Sequence, residues 1–498
     1  MKKIIILSII TLLFLTSCLF FSRIAESTPN PIPPSPTPVQ EITSTPAPDI
    51  GFENGLMPEY QSALKELKDA SLYTIELKIS DDLFHIIGSE EVRYTNNEDV
   101  NLDEVQLRLF PNILGGEMTV SDVKVHGNAV TPKYKLNNSL LILPLKEPLQ
   151  PKQSLTLSMD FSVVIPKSVE LNYGVQASFE DVLALAHAYP MIAVYDDEGW
   201  NSEIPPQSGD VTYADMSFFL VTVDAPKDVT VVVSGREISR QDNGNRQQIK
   251  AEAGPVRDFY LAASPVYKVF TKESNGVTLR FYTRGNLQKG AEYALDVAAR
   301  SIAVYDKRYA PYPYTELDFV STPTYALGIE YPGMIAITEW IVDPNNGYLE
   351  ATIAHEVGHQ WFYNLVGNDQ LDEPWLDESL TQFITQQYFT DEYGKAGSEG
   401  FRQDIAGRWA YINNNPIPVG LPVKDYSDAE YSGIVYGRGA LFFEALQEKM
   451  GVEAFDEFMK GYTTENAWGI STAEVLRTQA EGYCKCDLSA LFGEWIYP

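Results

Sequence analysis

Cysteine and histidine are scarce in this 498-residue chain, and positive charge is outnumbered. Three cysteines cannot build a disulfide framework, so the fold has to rest on buried apolar surface. Lys and Arg number 37 against 68 Asp and Glu, a formal net charge of −31. That balance excludes nucleic acid as a partner, because phosphate binding needs the opposite sign. Nothing in the sequence points to a protein partner. Long apolar runs are missing apart from residues 4–15, too few to span a bilayer as a permanent helix. What is present, 44% hydrophobic and 21% charged residues, is the composition of a globular protein. The length argues for two or three domains.

Lys2 and Lys3 precede the apolar run, the pattern of an export signal over residues 1–17. The run ends in Leu15-Thr16-Ser17-Cys18, which resembles the lipobox of bacterial lipoproteins. The resemblance implies cleavage before Cys18, acylation of its sulfur, and an extracytoplasmic protein anchored to membrane lipid. Two acyl chains, at ~0.8 kcal/mol per buried methylene, hold a protein on a membrane where one barely does. A cleaved secretory signal with an incidental cysteine is the alternative. Residues 18–55, dominated between 27 and 48 by Pro, Ser and Thr, read as an extended linker.

Over 56–268 the chain alternates apolar and polar residues in short runs. Tyr73, Ile75, Leu77 and Ile79 face one way and Thr74, Glu76 and Lys78 the other. Such runs with Asn, Gly and Pro punctuation predict an antiparallel β domain. Segment 165–215 is less regular and reads as a crossing between sheets. Over 269–498 the period changes. Helical spacing appears at 291–309, 348–366, 374–393, 440–450 and 471–481, with strands at 277–282, 317–321 and 333–338. A mainly α-helical domain with a small sheet therefore follows the β domain.

His355-Glu356-Val357-Gly358-His359 carries the chemistry. On a helix, residues i and i+4 project from one face, so both imidazoles aim at one point. Zinc takes nitrogen ligands tetrahedrally, and a catalytic zinc keeps one position open for water. Glu378 follows His359 with eighteen residues between, with Asp372 as expected N-cap and Pro374 in the first turn of a second helix. His355, His359 and Glu378 thus form the ligand set for one Zn²⁺ per chain. A surface helix with scattered His and Glu does not account for all three. Glu356, beside His355 but off the metal, is the expected general base.

The stretch 355–383, HEVGHQWFYNLVGNDQLDEPWLDESLTQF, resembles the signature of the zinc aminopeptidases related to alanyl aminopeptidase and leukotriene-A hydrolase, within the gluzincin clan. The resemblance covers roughly residues 60–498 and implies a sheet domain followed by a thermolysin-like catalytic domain. The C-terminal helical domain of larger members is not expected before Pro498. It further implies peptide substrates shortened from the amino terminus. Tyr436-Gly437-Arg438-Gly439-Ala440 is similar to the family's Y-x-K-G-A pattern, with Arg for Lys, and makes Tyr436 the expected oxyanion donor. Leu327-Gly328-Ile329-Glu330-Tyr331-Pro332 is similar to the strand that binds substrate, with Gly328 in the place of one family glycine. Glu330 stands where the family binds the free amine; Leu327 and Ile329 depart from the pattern. An endopeptidase or narrow-specificity hydrolase of the same fold, and a non-catalytic binding lipoprotein, remain alternatives. Where relatives carry a carboxylate supporting a zinc ligand, this chain has Thr385, so a backbone carbonyl or another acid has to substitute.

Weaker signals are read conservatively. Tyr431 is a second candidate donor, more readily explained as packing. Cys484 and Cys486 are read as unpaired, with a small disulfide ring in an oxidising compartment as the alternative, and His85, His126 and His187 as structural or surface residues. The acidic excess reads as a solubilising surface, with attraction of cationic amino termini toward a cleft as the alternative.

Overall fold

The computed structural model describes residues 51–206 and 209–497. The expected export signal, Cys18 and most of the expected linker lie outside the described residues. A sheet-rich region precedes a helical one, as the change of period predicts. Eight strands form the largest sheet, and Ser71–Ile79 sits near its middle, antiparallel to His85–Thr95. Alternation holds residue by residue: Tyr73, Ile75, Leu77 and Ile79 are buried, while Thr74, Glu76 and Lys78 face solvent. Pairing in this region is antiparallel as expected, with one exception. Ser71–Ile79 runs parallel to Ser217–Pro226, because segment 165–215 carries the chain back before the second strand begins. Two four-stranded sheets and a two-stranded one complete this region.

A five-stranded sheet then supports the helical part. Val277–Arg284 and Glu316–Thr322 pair in parallel through the crossover helix Gln288–Arg308, and Met334–Thr338 adds a further parallel strand. The two-residue strand Gly328–Ile329 closes one edge, antiparallel to Met334–Thr338. Leaving one side of that edge unpaired sets Gly328 and Glu330 against the cleft described below.

The zinc-motif helix is shorter than its apolar spacing predicts, spanning Leu349–Gly358. Trp361, Phe362, Leu365 and Val366 keep the spacing but are buried in a series of turns in which Tyr363 takes φ 132°. Burial on all sides removes the distinction that periodicity relies on. Arg257, itself buried, ties these turns to the sheet-rich region. Its guanidinium donates to the carbonyls of Tyr363 (2.6 Å), Asn364 (3.1 Å), Ala214 (3.1 Å) and Gly469 (2.5 Å). At the start of the motif helix, the Glu350 carboxylate accepts from the hydroxyls of Tyr293, Tyr388 and Tyr393 and from Arg300. The helix carrying both histidines is thus clamped at both ends.

The second helix also differs from expectation. It begins at Glu378, capped by Asp377, whose side chain accepts from the Glu378 amide at 2.8 Å. Asp372 is not the cap; its own amide donates to Asp369. Near the expected end the chain kinks at Gly394 (φ 65°, ψ −155°), then resumes as helix to Tyr411. The cysteine expectation is overturned, because Cys484 and Cys486 are joined in a disulfide after the helix Ala473–Cys484. Both thiols sit at one helix end, two residues apart, where the left-handed Lys485 turns one toward the other.

Candidate active site

The motif helix and the helix starting at Glu378 pack closely because Gly358 carries no side chain. A Cβ there would lie 2.9 Å from Ile384 and from Thr381. That approach brings three side chains together. His355 Nε2 and His359 Nε2 are 3.1 Å apart, and Glu378 Oε2 lies 3.1 Å from the first and 3.4 Å from the second. Ligand atoms 2.0–2.1 Å from a tetrahedral zinc stand about 3.3 Å from one another, so this triangle has the size of one zinc face. The tautomer also fits. His359 Nδ1 lies 3.0 Å from the Phe362 carbonyl and donates to it, leaving the Nε2 lone pair for a metal. A backbone carbonyl therefore does what a carboxylate does in relatives. Thr385 takes no part, its hydroxyl being spent on the Thr381 carbonyl.

Glu356, Glu330, Gly328 and Tyr436 line one cleft of about 860 Å³ together with the three ligands. The Glu356 carboxylate stands outside the ligand triangle, against the Gly328 backbone. A Cβ added at Gly328 would sit 2.4 Å from the Glu356 carboxylate. Gly328 thus makes room for the expected base. Gly328→Ala is expected to displace Glu356 and lower kcat by about 100-fold, since ~1 Å of misplacement costs that much. Unchanged kcat in purified, zinc-loaded G328A would contradict the packing argument.

Glu330 is buried at the end of the edge strand. One of its oxygens lies within 4.8 Å of ligand atoms on His359 and Asp377, and within 4.8 Å of Asp210 and Glu378. Gln370 donates to Glu330 (3.3 Å) and to Asp377 (2.8 Å), fixing both carboxylates. Burial raises the pKa of Asp210, Glu330 and Glu356; repulsion from Glu330 adds to it for Asp210 and Glu356, while for Glu330 the pull of His359 opposes it and Glu378 reinforces it. Burial opposes ionisation of Glu378 too, yet hydrogen bonds with His355 and His359 outweigh it and hold that pKa below the ordinary range. So many acids crowded together create a strongly negative focus suited to cations.

Tyr436 approaches from the π-helical segment Ile434–Arg438 that continues the short helix Asp428–Gly433, and its hydroxyl donates to Glu378 Oε1. Tyr431 stacks edge-on at 5.7 Å from Tyr436, and its buried hydroxyl has no partner among the described residues. Arg438 points away from the cleft. It donates to the carbonyls of Ile417, Glu494 and Trp495 and lies over the Trp495 ring, fastening the last helix. His85 pairs with Asp82 on the surface, His126 is exposed, and His187 is buried beside Asp258; none joins the ligand triangle.

Sequence reasoning missed Asp210, Gln370 and Asp377. The last two lie inside the signature stretch, where adjacency to Glu378 was the available signal. Asp210 comes from an irregular loop of the sheet-rich region and carries none.

Residues 293–495 match the model of the peptidase family M1 domain. Probable aminopeptidase 1 of Sulfurisphaera tokodaii is 23% identical over 430 residues, covering 82% of this chain and 50% of that protein. Aminopeptidase M1 of Arabidopsis thaliana is 24% identical over 299 residues, covering 56% and 33%. The chain spans between a third and a half of the length of these curated relatives. In fold it is similar to the M1 zinc metallopeptidase of Deinococcus radiodurans, with a TM-score of 0.69 at 19% identity over 86% of this chain and 93% of that one. The ligand triangle and the base lie inside the matched region, so residues 293–495 are similar to the peptidase family M1 domain at the positions that carry its chemistry.

Proposed function

We propose that this chain is an extracytoplasmic zinc aminopeptidase, held at a membrane through acylated Cys18, that removes amino-terminal residues from peptides. The carrying observation is the distance between Glu330 and the ligand triangle. An α-amino nitrogen lies only ~2.5 Å from its own carbonyl carbon by standard bond lengths and angles. An amine held by a carboxylate within 4.8 Å of a ligand atom therefore leaves room for the first peptide bond alone. Asp210 adds a second carboxylate to the amine pocket.

His355, His359 and Glu378 would hold the zinc, which acidifies an attacking water and polarises the scissile carbonyl. Glu356 takes the proton of that water on its carboxylate and passes it to the departing amine. The Tyr436 hydroxyl donates a hydrogen bond to the oxygen that becomes negative as the carbonyl carbon turns tetrahedral. Glu330 and Asp210 fix the substrate's ammonium, and Gln370 keeps Glu330 in place. The edge strand at Gly328–Ile329 offers its unpaired backbone to an extended peptide.

Free-amine and N-acetylated versions of one peptide test this reading. The free amine is expected to be cleaved at least about 100-fold faster, the size of a lost buried charge pair. Equal rates would overturn exopeptidase action. The same assay on membrane and soluble fractions should find the activity with the membrane, and Cys18→Ser should release it; soluble activity in both would remove the anchor.

A further inference from the structure

Acids dominate the cleft: Asp210, Glu330, Glu356, Glu378 and Asp404 all line it. Among the described residues one Lys or Arg joins them, Arg408, on the helix segment after the Gly394 kink. In a chain of net charge −31, an exposed guanidinium facing such a cleft invites an explanation. Structural duty accounts for little of it. Nη1 donates to Ser432 Oγ at 3.0 Å, the Cζ stands 5.5 Å from the Tyr436 ring centroid, and among the described residues no carboxylate pairs with it. The edge bearing Nη2 and Nε remains open to a planar anion, the geometry that guanidinium binds bidentately.

Position supplies the second half of the argument. Glu330 lies beside His359, within 4.8 Å. Arg408 lies beyond Tyr436, whose ring is 6.1 Å from that of His355, the other imidazole of the triangle. A peptide pinned by its ammonium at Glu330 and crossing the ligand triangle thus runs toward Arg408. Extended chain advances ~3.4 Å per residue, and a carboxylate carbon sits ~4 Å from the guanidinium carbon that binds it. Two residues beyond the cleaved bond plus that contact span the two steps of 6.1 and 5.5 Å.

We propose that Arg408 binds the C-terminal carboxylate of tripeptides, making the cleft selective for short peptides with both termini free. This inference rests on the aminopeptidase reading and adds the substrate class. A dipeptide carboxylate stops one residue short of the guanidinium. A longer peptide presents a neutral amide there, and Arg408 then gains no ion pair.

One tripeptide as the free acid and as the C-terminal amide, together with an aminoacyl anilide, forms the test. Wild type is expected to favour the acid by about 10- to 100-fold in kcat/KM, carried mainly by KM. Arg408→Gln should bring acid and amide within about threefold, and Arg408→Lys should restore part of the preference. If Arg408 merely braces Tyr436, its replacement lowers kcat on acid and amide alike and leaves their ratio intact, which overturns the inference. Anilide turnover with equal rates on acid and amide also overturns it while leaving the exopeptidase reading standing. No turnover of any of the three overturns both.

Discussion

Glu356→Gln is expected to lower kcat by about 10³-fold or more while leaving zinc content near one per chain. Glutamine matches glutamate in shape, so it fits the space that Gly328 leaves against the motif helix. It cannot accept a proton, and that is the one property the step requires of this side chain. The ligand triangle is drawn from His355, His359 and Glu378, and Glu356 contributes no atom to it. Folding stability should hold or rise. Burial, followed by repulsion from Glu330, already disfavours the Glu356 carboxylate, so an amide relieves a strain kept for function. Metal analysis, a melting curve and single-turnover rates on one preparation check the three parts. A fully active E356Q, zinc still bound, would assign the proton to another group and sink the mechanism. An inactive variant that has also lost its zinc would place Glu356 among the ligands.

The site is legible in the sequence where its chemistry is local. His355 and His359 meet because they stand one helical turn apart, at positions i and i+4, and Glu378 follows in the same short stretch. Tyr436 could be singled out from 29 tyrosines only through its Gly437-Arg438-Gly439-Ala440 surroundings. Gly439 explains part of that pattern: a Cβ there would fall 2.0 Å from Ser379 Oγ, so the helix bearing it could not approach the one bearing Glu378. Arg438 explains another part, by fastening the last helix through the carbonyls of Glu494 and Trp495. Asp210 was illegible because nothing near residue 210 repeats or alternates, and only the folded sheet-rich region carries it to Glu330. The helix segment after Gly394 escaped notice for a different reason. Phe401, Ile405 and Trp409 do follow helical spacing, but Gly397, Gly400 and Gly407 interrupt it and most of the segment faces solvent. Arg408 was hidden with it. Cys484 and Cys486 mislead because spacing alone does not reveal that Lys485 is left-handed.

Removing the metal is expected to abolish peptide cleavage, by more than about 10³-fold, while leaving the fold in place. The two consequences separate because different residues are responsible for them. Cleavage needs a cation at the meeting point of His355, His359 and Glu378. The motif helix, by contrast, is held from outside: Glu350 is bound by three tyrosine hydroxyls and Arg300, and Arg257 grips the turns beyond His359. Secondary structure should therefore survive chelation, as far-UV circular dichroism would show. Stability should still fall. A ligand bound to the native state alone contributes about 4 kcal/mol when present at a thousand times its Kd, and chelation forfeits it. What remains is a crowd of buried carboxylates, Asp210, Glu330, Asp377 and Glu378, lacking the divalent charge that made their proximity favourable. The melting temperature of the chelated protein should drop and return, with activity, on adding one equivalent of zinc. Full activity after exhaustive chelation, with zinc absent by metal analysis, would refute the role given to the triangle. An unchanged melting temperature would refute the claim that the cation offsets the crowding of acids around it.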